Sequence, residues 1–348
     1  MQNPTPPDEQ RTVLMPRRDV DGELPIGRQL QEFVIEGLVG VGGYSIVYLV
    51  RDARLDRQVA IKEYMPAALA VRAADGEVQP RSPRHREHFE LGLRSFLGEA
   101  RLLASFDHGS LVKVYRFWME NGTAYMVMPY YQGTTLQKWL TALGTSPSET
   151  WLRRFTEPLT EALGAIHAEK CYHRDVAPDN VLLLFDKRAG PFLEQKPRPL
   201  LLDFGAARRV ISDATQNLTA ILKSGYSPIE QYGGEQALRQ GAWTDVYALS
   251  AVLYAAVAGR APPSSVARIV RDDMVPAIKL GAGRYSKPFL AAIDAGLAVR
   301  PEQRPQSMAA FRDLFEAGAV EPVPVAPRKV ERPVKQPSWW RRLWQRSP

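Results

Sequence analysis

The sequence predicts an α+β fold in which a strand-rich half precedes a helix-rich half. Runs rich in Val, Ile and Tyr recur between residues 33 and 129, as expected for strands. After Gly133 the apolar residues recur at helical spacing instead. Prolines concentrate at both ends of the chain, where flexible segments are expected. The chain therefore divides into a flexible leader (1–32), one compact body (33–316), and a proline-rich linker with a basic, tryptophan-containing tail (317–348).

Five strands are expected in the first half of the body. Three follow one another at Phe33–Gly40, Ser45–Arg51 and Gln58–Tyr64. The other two, Leu111–Met119 and Thr123–Pro129, are joined by a Glu-Asn-Gly turn. Asn-Gly between two apolar runs is a strong signal for a tight hairpin. A mainly antiparallel sheet is therefore expected here.

The second half begins with a helix. Ser146 offers an N-cap, Pro147 suits the first helical position, and Glu149 completes a capping box. Apolar residues then follow at helical spacing: Trp151, Phe155, Leu159, Ala162 and Ile166. His167 is interpreted as a packing residue of this helix.

Composition excludes several classes of protein. The 348 residues include one cysteine, so no internal disulfide can form, and no Cys/His cluster has the spacing of a zinc site. No run of 18 apolar residues and no signal-like N-terminus is present. A cytoplasmic location is therefore expected.

The net charge of +7 lies almost wholly in the tail, where seven basic residues between Pro327 and Pro348 face one acid. A near-neutral body argues against nucleic acid as a partner. If the tail is helical, its tryptophans and arginines fall on separate faces, which suits an anionic membrane surface and a peripheral place on the inner face of the membrane. Docking onto the body, a stub cut before a membrane span, and disorder are the alternatives.

A glycine-rich turn lies between the first two strands, with the sequence Gly40-Val41-Gly42-Gly43-Tyr44-Ser45-Ile46-Val47. A turn with few side chains lets backbone N–H groups approach phosphates. Taken alone, a hairpin without a ligand explains it equally well. The third strand then offers Lys62 in Val-Ala-Ile-Lys, and a helical stretch offers Glu99, a carboxylate that can fix the lysine stem.

Two further motifs carry acidic residues. The first runs His173-Arg174-Asp175-Val176-Ala177-Pro178-Asp179-Asn180, and the second is Asp203-Phe204-Gly205. Asp175 can orient a hydroxyl and accept its proton, whereas Asn180 and Asp203 supply the hard oxygen ligands that suit Mg²⁺. With these motifs in this order, the sequence from about Phe33 to Phe315 resembles the protein kinase family, specifically the eukaryotic-like (Hanks-type) serine/threonine kinases of bacteria.

The resemblance implies a two-lobed protein kinase fold, with an N-lobe at 33–128, a hinge at 129–133 and a C-lobe at 134–316. It implies transfer of the γ-phosphoryl group of MgATP to Ser or Thr hydroxyls of protein substrates, with autophosphorylation. The implied catalytic residues are Asp175, Lys62, Glu99 and Asn180, and the implied Mg²⁺ ligands are Asn180 and Asp203. The implied ATP-binding residues are Gly40, Val41, Gly42, Gly43, Tyr44, Ser45, Val47, Ala60, Lys62, Met128, Pro129 and Tyr131.

Within the implied hinge, Pro129 has no N–H, so its carbonyl would accept from the adenine amino group and the Tyr131 N–H would be the donor. Structural roles are implied as well. Glu230 and Arg304 would form a buried ion pair, and Asp245 would anchor the catalytic loop.

Four features depart from the family pattern. Ser45 replaces the third glycine of the turn and still permits it. Ala177 stands where serine/threonine members usually carry a lysine, and Lys223 stands where they usually carry a threonine. We hypothesise that the positive charge of Lys223 replaces the missing lysine and stabilises the transferring phosphoryl group, with a solvated loop lysine as the alternative.

An insertion at about residues 66–92 is interpreted as a docking surface or a long ordered loop.

Regulation is expected at the activation segment and the leader. Arg174 is of the kind that holds a phosphorylated activation segment, for which Thr215 and Thr219 are the expected autophosphorylation sites. The leader around Thr12 looks like a ligand for a forkhead-associated reader of phosphothreonine, but a disordered leader without function is the favoured interpretation. Two alternatives to the kinase activity are a nucleotide-binding pseudokinase scaffold, favoured by Ala177 alone, and a small-molecule phosphotransferase.

Overall fold

Two assemblies follow one another along the chain: an antiparallel sheet with one long helix, and then a mainly helical part. The computed structural model describes residues 22–184, 197–204, 222–232 and 239–316. This arrangement confirms the predicted α+β class, because the strand-rich half does precede the helix-rich one.

Six strands form the main sheet, in the antiparallel order β1-β2-β3-β4-β8-β7. They are β1 (Gln29–Leu30), β2 (Phe33–Val41), β3 (Ser45–Asp52), β4 (Arg57–Tyr64), β7 (Arg116–Glu120) and β8 (Thr123–Pro129). Helix α1 (Arg86–Ala104) packs on this sheet through a stripe of buried apolar residues that includes Phe89, Phe96 and Leu103.

Three predicted strands and the Asn-Gly hairpin agree with the structure, but the fourth strand begins at Arg116 and not at Leu111. Leu111 makes only an isolated bridge to Leu201, and Val112 and Val114 are buried without belonging to a strand. This apolar run thus reflects burial where the chain passes between the two assemblies. Its alternation resembles that of a strand, but within the described residues its pairing is limited to the Leu111-Leu201 bridge and the bond from the Tyr115 N–H to the Val127 carbonyl.

The expected flexible leader extends too far, because residues 22–32 belong to the folded body. Leu24 and Leu30 are buried, at 5% and 1% exposure, and β1 pairs with β2. The backbone N–H of Leu24 also donates to the hydroxyl of Tyr48, at 3.0 Å. Apolar burial therefore extends the body on the N-terminal side of Phe33.

The insertion after β4 is an ordered hairpin of β5 (Ala70–Arg72) and β6 (Val78–Pro80). Arg72 organises it by donating to the carbonyls of Gly22 (2.8 Å) and Gly76 (3.0 Å) and by pairing with the fully buried Glu63 at 2.6 Å. Of the two interpretations of this segment, the contacts favour a long ordered loop. The loop is shorter than expected, because α1 begins at Arg86 and includes the last residues of the 66–92 segment.

The second assembly is built around one helix that is buried on nearly all sides, α4 (Ala242–Ala258). The other elements are β9 (Gly133–Thr135), α2 (Leu136–Leu143), α3 (Glu149–Ala168), β10 (Val181–Leu184), β11 (Arg198–Leu201), α5 (Ser265–Val270), α6 (Ala277–Leu280), α7 (Lys287–Gly296) and α8 (Met308–Glu316). Strands β9, β10 and β11 form a small antiparallel sheet.

The N-cap of helix α3 lies two residues later in the chain than predicted. Ser148 is the N-cap, and its hydroxyl accepts from the N–H of Trp151 at 3.2 Å. Ser146 instead donates to the carbonyl of Val257, and Glu149 accepts from Ser286. The predicted cap at Ser146 is therefore wrong, because long-range partners engage Ser146 and Glu149 and leave Ser148 as the cap. Within the described residues, no helix has the length and apolar character needed to cross a membrane.

Candidate active site

A lysine with two carboxylates marks the cleft beside the main sheet. The Lys62 ammonium, on β4, lies 3.1 Å from Glu99 Oε1 on α1 and 2.7 Å from Asp203 Oδ1, which follows β11. The side chains of Lys62 and Glu99 are only 9% and 2% exposed, whereas that of Asp203 is 56% exposed. A buried ammonium is thus held between a helix and a loop, with one carboxylate facing the cleft.

Electrostatics keep this lysine charged. Burial acts against the ammonium, but the charges of Asp203 and Glu99 outweigh it and raise the pKa of Lys62. Desolvation likewise opposes the charge of Asp203, and Lys62 outweighs it and lowers the pKa of that carboxyl. The group that would meet phosphate oxygens is therefore a fixed cation.

Helix α1 is attached to the same loop by a second bond. The backbone N–H of Phe204 donates to the Glu99 carboxylate. The Phe204 ring is buried and lies 4.7 Å from the ring of His173, centroid to centroid. Glu99 thus bridges Lys62 and the Asp203-Phe204 segment, so the position of α1 controls both.

The loop between α3 and β10 is anchored from below by Asp245 of α4. This fully buried carboxylate accepts from the backbone N–H of His173 (2.8 Å) and of Arg174 (2.7 Å), and it bonds the ring Nε2 of His167 (2.8 Å). Burial opposes its charge, but the bond and charge of His167 outweigh it and lower the pKa of Asp245. Arg174 adopts a positive φ of 65°, a conformation that these bonds hold in place.

Within that loop, Asn180 fixes Asp175. Its amide Nδ2 donates to Asp175 Oδ2 at 2.6 Å and to the Asp175 carbonyl at 2.8 Å. Its own backbone is tied in on both sides, since its N–H donates to Ala177 and its carbonyl accepts from Leu202. The carboxylate of Asp175 is therefore oriented before any substrate binds.

Lys223 reaches this carboxylate from the segment before Glu230. Its Nζ lies 2.6 Å from Asp179 Oδ1 and 3.7 Å from Asp175 Oδ1, and the side chain is 17% exposed. Ala177 is only 1% exposed, so its methyl group is packed away from solvent. Lys223, which lies outside the loop from His173 to Asn180 (the catalytic loop), thus comes within 4 Å of Asp175.

The glycine-rich turn is an ordered end of the β2-β3 hairpin. Gly40 pairs with Val47 and Val41 with Ile46, and the N–H of Gly42 donates to the Ser45 carbonyl at 2.8 Å. Ser45 is buried and continues the turn without a glycine, as expected. At the tip, the carbonyls of Gly43 and Tyr44 accept from the N–H groups of Ala67 and Met65.

The predicted adenine-binding residues lie along neighbouring strands. Ala60 of β4 is buried and pairs with Met128 of β8, and Pro129 ends that strand. Tyr131 lies in the connection to β9, and its hydroxyl accepts from the N–H of Lys113 at 3.1 Å. The connection from β8 to β9 therefore joins the two assemblies where the hinge is expected.

A comparison with known protein families identifies this arrangement. The family model described as the protein kinase domain matches residues 33–315. The chain belongs to this family. The match begins at Phe33, so residues 22–32 add ordered structure to the N-terminal end of the kinase domain.

Individual kinases are similar over most of the chain. The serine/threonine-protein kinase PknB of Mycobacterium leprae is 32% identical over 304 residues, which are 84% of this chain and 43% of that protein. The solved structure titled "PpkA-294 apo form" is 41% identical with a TM-score of 0.75, covering 84% of this chain and 99% of that one. A structure of Rad53 1-466 with AMP-PNP, 21% identical with a TM-score of 0.59, covers 82% of this chain and 66% of that one and shares the fold.

These findings confirm the resemblance to bacterial Hanks-type serine/threonine kinases and the two-lobed kinase fold. The chain spans less than half the length of the curated kinases PknB and PrkC that it matches, at 43% and 32%. The match therefore covers only part of those longer proteins.

The helical lobe of this kinase domain contains the expected ion pair. Arg304 Nη1 and Nη2 lie 2.7 and 3.2 Å from the two oxygens of Glu230, and both side chains are 0% exposed. Thr244, at the start of α4, donates to the same carboxylate at 3.0 Å. The segment that follows Lys223 is thereby fixed to α4, which also holds Asp245.

Sequence reasoning missed two residues of the site. Asp179, to which the sequence motif assigned no role, is the closest partner of Lys223. His167, interpreted as a packing residue, shares a hydrogen bond with the buried Asp245. The sequence shows Asp179 as a charged residue within the His173–Asn180 motif and His167 as a residue in the last turn of α3. Neither observation specifies the partner of the residue.

Proposed function

We propose that this kinase domain transfers the γ-phosphoryl group of MgATP to Ser or Thr hydroxyls of protein substrates, its own chain included. The observation that carries the proposal is that the Lys62-Glu99-Asp203 cluster and the Asn180-Asp175 pair are adjacent, since the N–H of Leu202, next to Asp203, donates to the Asn180 carbonyl. Phosphoryl transfer needs from the protein mainly the positioning of phosphates and of the attacking hydroxyl. These two groups serve those two needs.

ATP is proposed to lie beneath the glycine-rich turn, with Lys62 toward its phosphates. The turn offers Gly40, Val41, Gly42, Gly43, Tyr44, Ser45 and Val47, and Ala60 with Met128 lies behind the adenine. The Pro129 carbonyl would accept from the adenine amino group, and the Tyr131 N–H would donate to the ring. Support comes from the placement of these residues along β2, β3, β4 and β8.

Asn180 and Asp203 are the proposed Mg²⁺ ligands. Asn180 uses its amide nitrogen on Asp175, and Asp203 uses one oxygen on Lys62, which leaves an amide oxygen and a carboxylate oxygen as donors. Mg²⁺ prefers oxygen ligands and is usually held by one or two protein groups together with phosphates and water. This donor set fits such an ion, which when bound would neutralise phosphate charge.

Asp175 would orient the substrate hydroxyl and accept its proton as the oxygen–phosphorus bond forms and the bond to the departing ADP oxygen breaks. The bond from Asn180 keeps one carboxylate oxygen in place, so the other faces the hydroxyl. Lys223 would stabilise the charge of the transferring group from the position next to Asp175. Its two carboxylate neighbours argue against a solvated loop lysine.

Two alternative functions make different demands. A nucleotide-binding pseudokinase scaffold is supported only by Ala177, whereas Lys62, Asp175, Asn180 and Asp203 all argue against it. A small-molecule phosphotransferase does not need the platform formed by Glu230, Arg304 and Asp245. The protein kinase activity is the function that uses every feature of the cleft.

The deciding experiment is autophosphorylation with γ-labelled ATP, with Asp175→Asn as the matched control and mass spectrometry to map the sites. Label in the wild type and none in the control is expected. Label in neither protein, with ATP binding retained, would favour the scaffold. The expected sites Thr215 and Thr219 lie outside the described residues, and their absence from the active enzyme's phosphopeptides would exclude them.

Two partner proposals also concern segments outside the described residues. Phosphorylated Thr12 would bind a forkhead-associated domain. A binding assay that compares a Thr12 phosphopeptide with its Thr12→Val counterpart tests this.

The tail at 317–348 would bind an anionic membrane surface and place a cytoplasmic enzyme on the inner face of the membrane. Co-sedimentation with anionic vesicles, with and without residues 327–348, tests this. No nucleic-acid partner is proposed.

A further inference from the structure

The polar contacts of Glu99 with Lys62 and with the Phe204 N–H hold helix α1 at one residue in its C-terminal half. A helix held at one point can still pivot about it. Because Glu99 also binds the Phe204 N–H, any pivot of α1 would disturb Lys62 and the Asp203 segment together. A further polar contact between α1 and the sheet, distant from Glu99, would limit such a pivot.

Tyr64 of β4 lies where such an attachment would be needed. Alternate residues of a strand share a face, so Tyr64 and Lys62 project to the same side, about 7 Å apart along the strand. Tyr64 is fully buried, and its hydroxyl donates to the Phe89 carbonyl of α1 at 3.1 Å. Its ring lies 5.3 Å from the ring of Phe89 and 5.8 Å from that of Phe96, between centroids.

Gly92 allows the Tyr64 side chain to approach the backbone of α1 closely. A Cβ at position 92 would lie 2.1 Å from the Tyr64 hydroxyl oxygen and 3.0 Å from Cζ, so only a residue without a side chain fits. Glycine inside a helix is otherwise unfavourable relative to alanine. Gly98 of the same helix has nothing within 4 Å of its Cβ position, so no packing requirement explains a glycine there.

The residues of α1 that meet β4 form one stripe. Phe89, Gly92, Phe96 and Glu99 are spaced by three, four and three residues, which places them on one helix face. Gly92 and Glu99 are two turns apart, roughly 10 Å along the axis. The Phe96 ring connects the two ends of the stripe, because it also lies 5.6 Å from the Lys62 ammonium.

We propose that Tyr64, seated against Gly92, is a positioning residue that forms the second attachment of α1 and thereby sets the Lys62-Glu99 bond. The inference rests on the proposed function, since that bond matters only if the domain binds and uses ATP. Neither residue belongs to the proposed nucleotide site, so both act through the helix.

The test compares Gly92→Ala with Gly98→Ala, two identical changes on one helix. Gly92→Ala is expected to displace α1, to weaken binding of a fluorescent ATP analogue at least fivefold, and to lower kcat/KM for ATP at least tenfold. Gly98→Ala is expected to leave both unchanged, with the same or a higher Tm. Equal behaviour of the two variants would overturn the proposal.

Two further variants separate positioning from simple loss of fold. Tyr64→Phe removes the hydroxyl that the methyl group introduced by Gly92→Ala would meet. The double variant is therefore expected to bind the fluorescent ATP analogue at least threefold more tightly than Gly92→Ala alone. Tyr64→Phe alone keeps the packing and is expected to increase amide hydrogen exchange of residues 86–95. Absence of either effect would contradict the proposal, even if Gly92→Ala alone failed to fold.

A background of Glu99→Gln identifies the route of the effect. If Tyr64 and Gly92 act through the Lys62-Glu99 bond, Gly92→Ala lowers nucleotide affinity much less once that bond is weakened. An equal loss in both backgrounds would overturn the proposal. Because affinity and exchange do not require catalysis, an inactive wild type would refute the kinase function and leave this inference to be judged separately.

Discussion

Lys223 Nζ lies 2.6 Å from Asp179 and 3.7 Å from Asp175, so a cation from the activation segment contacts the catalytic loop at two carboxylates. Ala177, the position at which serine/threonine members usually carry a lysine, is packed at 1% exposure. The same charge is therefore present in the cleft by a different route along the chain. It is present only when the segment before Glu230 is folded against the loop.

The first prediction separates a catalytic from a tethering role of Lys223. Lys223→Met keeps the length of the side chain but removes its charge, and Asp179→Asn removes only the closer partner. If Lys223 stabilises the transferring group, Lys223→Met lowers kcat by about 100-fold, whereas Asp179→Asn lowers it less than tenfold. Steady-state kinetics on a peptide substrate provide the measurement. Equal losses in the two variants would mean that Lys223 only tethers the segment.

The second prediction concerns the Glu230-Arg304 pair. Both side chains are 0% exposed, so removing one partner leaves an uncompensated charge in the helical lobe. Arg304→Met is expected to lower the free energy of unfolding by about 3–5 kcal/mol, as measured in urea. Arg300→Met is the control, because Arg300 is 70% exposed and meets Glu302 only at 4.0 Å. A comparable loss in this control would show that the buried geometry is not the cause.

The ordered N-terminal segment leads to the third prediction. A chain that begins at Phe33 lacks Leu24 and Leu30, which are 5% and 1% exposed, and loses the Gly22 carbonyl that Arg72 bonds. Burial of a leucine contributes about 1.5–3 kcal/mol, so this truncation is expected to lower the free energy of unfolding by at least about 3 kcal/mol. The control is a chain that begins at Gly22. Equal urea midpoints for the two truncated chains would contradict the prediction.

Strands β2, β3 and β4, the β7-β8 hairpin and the order of the site motifs were predictable from the sequence because they depend on local patterns. Alternation and the Asn-Gly turn marked the sheet, and spacing marked the acidic motifs. What could not be predicted depends on residues distant in the chain. Lys223 and Asp179 are 44 residues apart, and no local pattern records their contact.

Gly92 illustrates the same limit. The sequence places Gly92 at the end of the expected insertion and Gly98 in the helical stretch that carries Glu99. Only the structure shows that both lie on α1, where Gly92 faces Tyr64 while Gly98 faces open space. His167 is similar, because helical spacing assigns it to a buried face but does not reveal the carboxylate across from it. Long-range partners therefore account for most of what the sequence did not reveal.

The last prediction follows from the charge on Asp245. Its folded pKa is lowered below the ordinary value of 3.8, since the bonds from His167 and from the catalytic-loop N–H groups outweigh burial. A carboxyl with a depressed folded pKa contributes stability that is present above its unfolded pKa and is lost as pH falls through the folded value. Asp245→Asn should therefore be less stable than the wild type at pH 7, and the difference between them should shrink below about pH 4.

Urea midpoints at several pH values between about 7 and about 3 measure this difference. Asp272→Asn is the control, because Arg268 lowers the pKa of that carboxyl as well but its side chain is 43% exposed. Its difference from the wild type should be smaller at every pH, since solvent screens an exposed pair. A gap between Asp245→Asn and the wild type that stays constant down to about pH 3 would mean that the bonds to Asp245 do not depend on its charge. In that case the anchoring of the catalytic loop would rest on shape and hydrogen bonding alone.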